Sequence, residues 1–280
     1  MRRSLIVNAD DYGRSREVST GILEAHHHGI VTTTTVLINL PEALPALREG
    51  MRQAPGLGFG LHLNLTLGEP CWNSAASTAL VGSNGQFHPI NLWQETPDLV
   101  PASYIRTEWQ AQIDKMGLAG IMIDHLDSHH HIATMRSDIW QIYLELAEQL
   151  HCGVRPPYPN DISLADMQAS FPSAMIETAK NSALPALKAT SIPHPDSFLA
   201  SFYDKTAGLP HLLTMLENLT PGVSEIMCHP GYSSPALAQT SSYAHQRVLE
   251  LAALTAAETI QMVEDQEIQL VTYRQAWRTR

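Results

Sequence analysis

Cysteine is scarce in this chain. The three that occur, Cys71, Cys152 and Cys228, are odd in number, far apart and nowhere spaced as CxxC. That usage argues against a disulfide framework and against a structural zinc knuckle, and it fits a reducing cytoplasm. Basic residues are also few. Lys and Arg number 17 against 28 Asp and Glu, the net charge is −11, and no Lys/Arg block occurs. Neither nucleic acid nor an anionic membrane surface is therefore expected as a partner. No apolar run approaches the roughly 18 residues of a membrane span. Arg2 and Arg3 look like the start of a secretory signal, but only Leu5-Ile6-Val7 follow before Asn8 and Asp10 end the stretch, so no signal is read there. Charged residues make up only 16% of the 280, whereas 44% are hydrophobic, which excludes intrinsic disorder and allows a sizeable core.

The apolar pattern alternates between strand-like and helix-like segments. Ser4–Ala9, Thr32–Asn39, Gly58–Leu65, Gly120–Leu126, Gly153–Arg155, Leu187–Ile192, Ser224–Cys228 and Ile268–Tyr273 read as strands. Arg14–His28, Pro41–Gln53, Ala102–Met116, Asp138–Leu150, Leu209–Asn218 and a long Ala244–Glu264 read as helices. Residues 66–98 are irregular, and 160–186 match neither period. Repeated βα units without a linker point to a parallel sheet covered by helices. About seven or eight strands favour a distorted (β/α) barrel over an open sheet, with residues 1–280 forming one catalytic domain.

What the sequence has in abundance is histidine, fourteen in all, and they are not scattered. In a parallel barrel the reactive groups lie at the C-terminal ends of the strands. Here the apolar runs finish in Asn8-Ala9-Asp10-Asp11, His62-Leu63-Asn64, Asp127-Ser128-His129-His130-His131 and Cys228-His229-Pro230-Gly231. Asp10 and Asp11 repel each other unless a cation or a proton sits between them. Capping of the following helix is the competing explanation for that pair. His62 alone could equally be a core imidazole bonded to backbone. In the run His129–His131, successive positions can send one ring to a metal, one to a supporting contact and one to solvent. His26-His27-His28, by contrast, closes a helix, where histidine is favourable against the dipole. One Asp and two His leave positions open for water and substrate, as in catalytic zinc sites and in non-haem iron oxygenases alike.

Taken together, Asn8-Ala9-Asp10-Asp11-Tyr12-Gly13, Gly60-Leu61-His62-Leu63, Asp127–His131 and Met227-Cys228-His229-Pro230-Gly231 resemble the YdjC-like carbohydrate deacetylases, whose members include chitooligosaccharide deacetylase. The motifs span residues 8–231 in the family's order. The resemblance implies a distorted barrel that removes an N-acetyl group from an amino sugar with a divalent metal, zinc or magnesium. By position it makes Asp11, His62 and His129 the metal ligands, Asp10 the catalytic base and His229 the acid, and it sets Arg155 near the site. One departure stands out: family members carry a further His shortly after the triple-His run, where this chain has Ile132-Ala133-Thr134.

The roles that the resemblance implies answer the physical needs of the reaction. An amide resists attack unless its carbonyl is polarised and a water acidified, and the departing amine needs a proton, which imidazole can give near neutral pH. Trp72, Trp109, Tyr158 and Tyr232 are candidate platforms for a sugar ring, with core packing the competing role for each. An N-acetylated sugar is the expected partner, and a homodimer is compatible with the sequence. Three other classes share the ligand set: a phosphoesterase-like metal hydrolase, an iron oxygenase, and a non-catalytic sugar- or metal-binding protein. A phosphoesterase would want positive groups near the motifs, an oxygenase Fe(II) and a second substrate, and a binding protein neither Asp10 nor His229.

Overall fold

A computed structural model describes residues 2–277. It contains eight strands, β1 (Arg3–Tyr12), β2 (Thr33–Val36), β3 (Gly58–Leu63), β4 (His125–Ser128), β5 (Gly153–Val154), β6 (Ser197–Leu199), β7 (Gly222–Cys228) and β8 (Gln269–Leu270). Every pairing between them is parallel. Seven lie on one hydrogen-bonded path, β5-β4-β3-β2-β1-β7-β6, and β8 joins the lower end of β1. The sheet curls into a barrel that stays open between β5 and β6, where the Val154 N–H reaches the Pro193 carbonyl at 2.9 Å. The α/β class and distorted barrel expected from the sequence are what the chain adopts.

Residue parity sorts β1 into two faces. Leu5, Val7 and Ala9 pack outward among helix residues such as Val18, Ile22 and Leu47, in the main core. Ile6 turns inward and meets Val223, Val271 and Tyr273, an apolar layer at the barrel's base. Asn8 and Asp10 follow on that inner face, one and two steps nearer the mouth. The same alternation sends Leu61, Leu63 and Leu126 outward. Their neighbours His62, His125 and Asp127 are thereby left facing the interior. Burying polar groups at this depth is costly unless each finds a partner, so the upper barrel is organised by ion pairs rather than by packing.

Four expected elements differ, one in its bounds: the strand expected at Gly120–Leu126 begins at His125 and runs to Ser128. Leu187–Ile192 is not a strand: a helical path runs from Ser173 through a π-helical turn at Ala179–Ala183 to Lys188, and the strand is Ser197–Leu199. The wider turn precedes Pro185, whose missing N–H an ordinary helical ladder would register as a break. Ala244–Glu264 divides into His245–Leu254 and Ala257–Asp265. No Gly or Pro marks that division; Thr259 Oγ1 holds the Ala253 carbonyl at 2.7 Å, and Ala256 takes an extended backbone. Finally, β8 is only two residues long, and Tyr273 begins a helix, Tyr273–Trp277.

Candidate active site

The five residues singled out by sequence converge at one mouth of the barrel. Asp10 and Asp11 reach it because β1 carries a register shift between Ala9 and Tyr12, with Asp11 in the left-handed region at φ 73°. A bulge of this kind lets two neighbouring side chains serve one side of a sheet. Neither aspartate caps the next helix: Ser15 does, its hydroxyl accepting from the Val18 N–H at 3.3 Å. His26 likewise belongs to its helix end, where its Nδ1 lies 2.8 Å from the Val31 carbonyl.

Asp11 Oδ2 accepts from Arg247, while Asp11 Oδ1 is buried with no hydrogen-bond partner. That oxygen faces His129 Nδ1 at 3.3 Å and His62 Nε2 at 3.6 Å, and the two ring nitrogens are 3.3 Å apart. One carboxylate oxygen and two imidazole nitrogens thus point at a common centre, all within 4.8 Å of one another. His62 is held from behind. Register places it beside Asp127, whose Oδ1 accepts from His62 Nδ1 at 2.6 Å. A carboxylate on the far nitrogen fixes the tautomer and frees Nε2 as a ligand atom. Burial pushes the His129 imidazole down to about 4, with Asp11 opposing, so its lone pair is free at neutral pH.

The charges around the centre fit a divalent cation. Four buried carboxylates, Asp10, Asp11, Asp127 and Glu225, share the two buried guanidiniums of Arg155 and Arg247. A second grouping, Asp10 with His62 and Asp127, has comparable spacing. Its cation is already present: Arg155 binds Asp10 through Nη1 and Nη2 at 2.8 and 2.7 Å and Asp127 at 3.0 Å. The set Asp11, His62 and His129 is therefore the one that could hold a metal.

Burial alone would raise the Asp10 carboxyl, but the Arg155 guanidinium on both oxygens outweighs it and holds Asp10 well below the usual carboxylate range. His229 Nε2 stands 3.8 Å from Asp10 Oδ2, and its Nδ1 is buried without a partner. The ordinary imidazole range does not apply to His229. Burial takes it down to about 4 against the pull of Asp10 and Asp11, so the resting ring is neutral. Its loop is fixed by Glu250, which accepts from the His229 N–H and from Tyr243 Oη.

The triple-His run fans out. His130 and His131 both take left-handed backbone, at φ 55° and 53°. His130 Nδ1 meets Thr66 Oγ1 at 3.0 Å. His130 is the exposed ring of the run, whereas His131 is half-buried and turns to the rings of Phe171 and Phe198. Ala133, where the family has a further His, is buried, its N–H donating to Ser128 Oγ. Of the aromatic candidates, Trp109 is wholly buried in the core and offers no face to a sugar. Trp72 lines an outer cavity of about 530 Å³ with Arg106, Gln110 and Gln149. Tyr158 is half-buried and Tyr232 exposed. An unanticipated ring, Tyr203, is 45% exposed, stacks on Tyr243 and meets His229 edge-on at 5.5 Å.

Asp127, Glu225, Arg247 and Glu250 were absent from the sequence-derived set. Only Asp127 left a signal, as the first residue of the Asp127–His131 run, two residues before His129, which lies just past the end of β4.

An α/β barrel that gathers its acid–base groups at the C-terminal ends of the strands has the build of a barrel enzyme. The profile of the YdjC-like protein family matches residues 4–265, and the chain belongs to that family. A carbohydrate deacetylase from Geobacillus stearothermophilus is 33% identical over 281 residues, covering 99% of this chain and 100% of that one. One from Brevibacillus brevis is 35% identical, covering 96% and 98%. A crystal structure from Enterococcus faecalis, of a protein named for cellobiose-phosphate cleavage, has a TM-score of 0.82 at 30% identity and covers 98% of both chains.

Proposed function

We propose that this chain is a metal-dependent carbohydrate deacetylase that hydrolyses the N-acetyl group of an amino sugar or a chitooligosaccharide. The observation that carries this is the facing of Asp11 Oδ1, His62 Nε2 and His129 Nδ1, with Asp10 and His229 beside them. The names borne by its relatives support the reaction class. In this reading residues 1–280 act as one catalytic unit. Three free cysteines fit a cytoplasmic setting, and no helix among the described residues is long and apolar enough to cross a membrane.

Asp11, His62 and His129 would hold the ion, zinc or magnesium, which when bound polarises the acetamide carbonyl and acidifies water. Asp10 accepts the proton of the attacking water at Oδ2, the oxygen nearest His229. Arg155 keeps the Asp10 carboxylate in one orientation throughout. Since His229 is neutral at rest, its proton is not stored there; Asp10 passes on the proton taken from water once the 3.8 Å between them closes to hydrogen-bond length, and His229 gives it to the departing amine. The tight Arg155 contact suits Asp10 to passing a proton on rather than keeping it.

A phosphoesterase reading is disfavoured by the fate of the two guanidiniums. Arg155 and Arg247 are both engaged by carboxylates, so neither is free for a phosphate, and Arg14 near Asp11 is a single further guanidinium, with Nη2 on the Thr240 carbonyl. A screen of acetylated amino sugars and phosphorylated sugars, reading acetate and phosphate separately, tests the assignment. Acetate without phosphate is expected. Phosphate release, or no release from any acetylated sugar, would overturn it.

A further inference from the structure

Glu225 lies deeper in the barrel than the reacting groups, at the level of Ile6 and on the inner face of β7, and is completely buried. Its Oε1 accepts from Arg155 Nε at 2.8 Å and its Oε2 from Tyr273 Oη at 2.6 Å. Tyr273 is itself fixed, its ring stacked on His125 with centroids 4.0 Å apart and planes 6° from parallel. A guanidinium offers a carboxylate two forks, an end-on pair of Nη atoms and a side-on pair that uses Nε. With Nε taken by Glu225, only the end-on fork remains for Asp10, and that is the one formed, Nη1 to Oδ2 and Nη2 to Oδ1. The contact also crosses the barrel, because Arg155 follows β5, at one end of the strand order, and β7 is the next-to-last strand at the other end.

We propose that Glu225 is a positioning residue: by occupying Arg155 Nε, and being held in turn by Tyr273, it sets the angle at which Asp10 meets the reacting atoms. The inference rests on the deacetylase reading, in which Asp10 moves the proton. The plain alternative is a staple that merely ties the two edges of an open barrel. The two differ in what they move. A staple changes stability, whereas a positioning group changes turnover and leaves substrate binding and metal alone.

Glu225→Ala, Glu225→Gln and Tyr273→Phe are compared with the wild type as the full metal-loaded chain. Losing a supporting carboxylate is expected to lower kcat by about 10–100-fold in Glu225→Ala, with KM and bound metal close to wild type. Glu225→Gln still offers Arg155 Nε an oxygen and should recover most of that loss. Tyr273→Phe keeps the stack and loses only the Oη contact, so a smaller drop in kcat with unchanged KM is expected. Variants that melt earlier but turn over like the wild type would overturn the proposal. If Glu225→Ala does not fold, Tyr273→Phe decides alone, and a wild-type kcat there overturns it. A wild type that releases no acetate would sink the deacetylase reading instead. The Arg155 Nε–H resonance in a ¹⁵N-resolved spectrum then decides, and a signal unmoved in the variants counts against Glu225.

Discussion

Asp10 and Asp11 are adjacent in sequence, yet the structure gives them different partners and so different work. Arg247 takes one oxygen of Asp11 and leaves the other for the imidazoles, whereas Arg155 takes both oxygens of Asp10. The pair was legible in the sequence because two carboxylates so close require a cation. Arg247 was not, since it approaches from 236 residues away along the chain, and Arg155, 145 residues from Asp10, was set near the site through the family resemblance alone. The division of labour between Asp10 and His229 can be tested by changing the leaving group. Asp10→Asn and His229→Ala should each spare bound metal and lower kcat by roughly 10²–10⁴-fold, the usual contribution of an acid–base group. An acetylated substrate with a strongly activated leaving amine needs little protonation, so it should restore His229→Ala far more than Asp10→Asn. Equal restoration, measured as acetate release, would refute the assigned roles.

Among the elements, the strand ends were the readable part. β1, β3, β4 and β7 each carry polar residues at or just past their C-terminal ends, and their inner faces carry the site. The segments that shape the mouth were less readable, because helices such as Ser173–Lys188 are decided by how they pack rather than by their own period. Close backbone approaches were equally hidden. Gly21, in the helix Arg16–His27, lies so near the loop after β7 that a Cβ there would stand 2.5 Å from Gly231 Cα. Ala for Gly in a helix ordinarily gains about 1 kcal/mol, but overpacking against a backbone costs about 1–3 kcal/mol. Gly21→Ala should therefore lower the Tm and displace His229-Pro230-Gly231, reducing kcat. Thr20→Ala, on the exposed side of the same helix, should do neither. A Gly21→Ala variant that is as active and stable as wild type would show that the loop does not depend on this contact.

For the whole molecule, the barrel interior is an assembly of buried charges, and its stability should depend on pH through groups far from the metal centre as well as near it. Asp124, at the base of β4, is buried, and burial raises its carboxyl to about 6 in spite of Arg274. One of its oxygens has no hydrogen-bond partner, as suits a protonated acid. The folded chain then holds a proton that the unfolded chain gives up near pH 4, so this contribution is complete below pH 4 and is lost as pH rises to 6. About two pH units correspond to on the order of 3 kcal/mol. Asp124→Asn cannot titrate, so its stability relative to wild type should rise between pH 4 and 6. Urea unfolding at several pH values measures this; a constant difference would mean that Asp124 is ionised throughout.

The central claim is that Asp11, His62 and His129 form a metal centre that drives deacetylation. Protein stripped by a chelator and titrated with zinc or with magnesium, with bound metal and acetate release read in the same samples, tests it most directly. Acetate release should be absent without metal, rise in step with occupancy and level off at about one ion per chain, with His62→Ala folded but unable to bind the ion or release acetate, as a three-ligand open site requires. Full acetate release from the stripped protein, or metal held by His62→Ala as tightly as by the wild type, would contradict it.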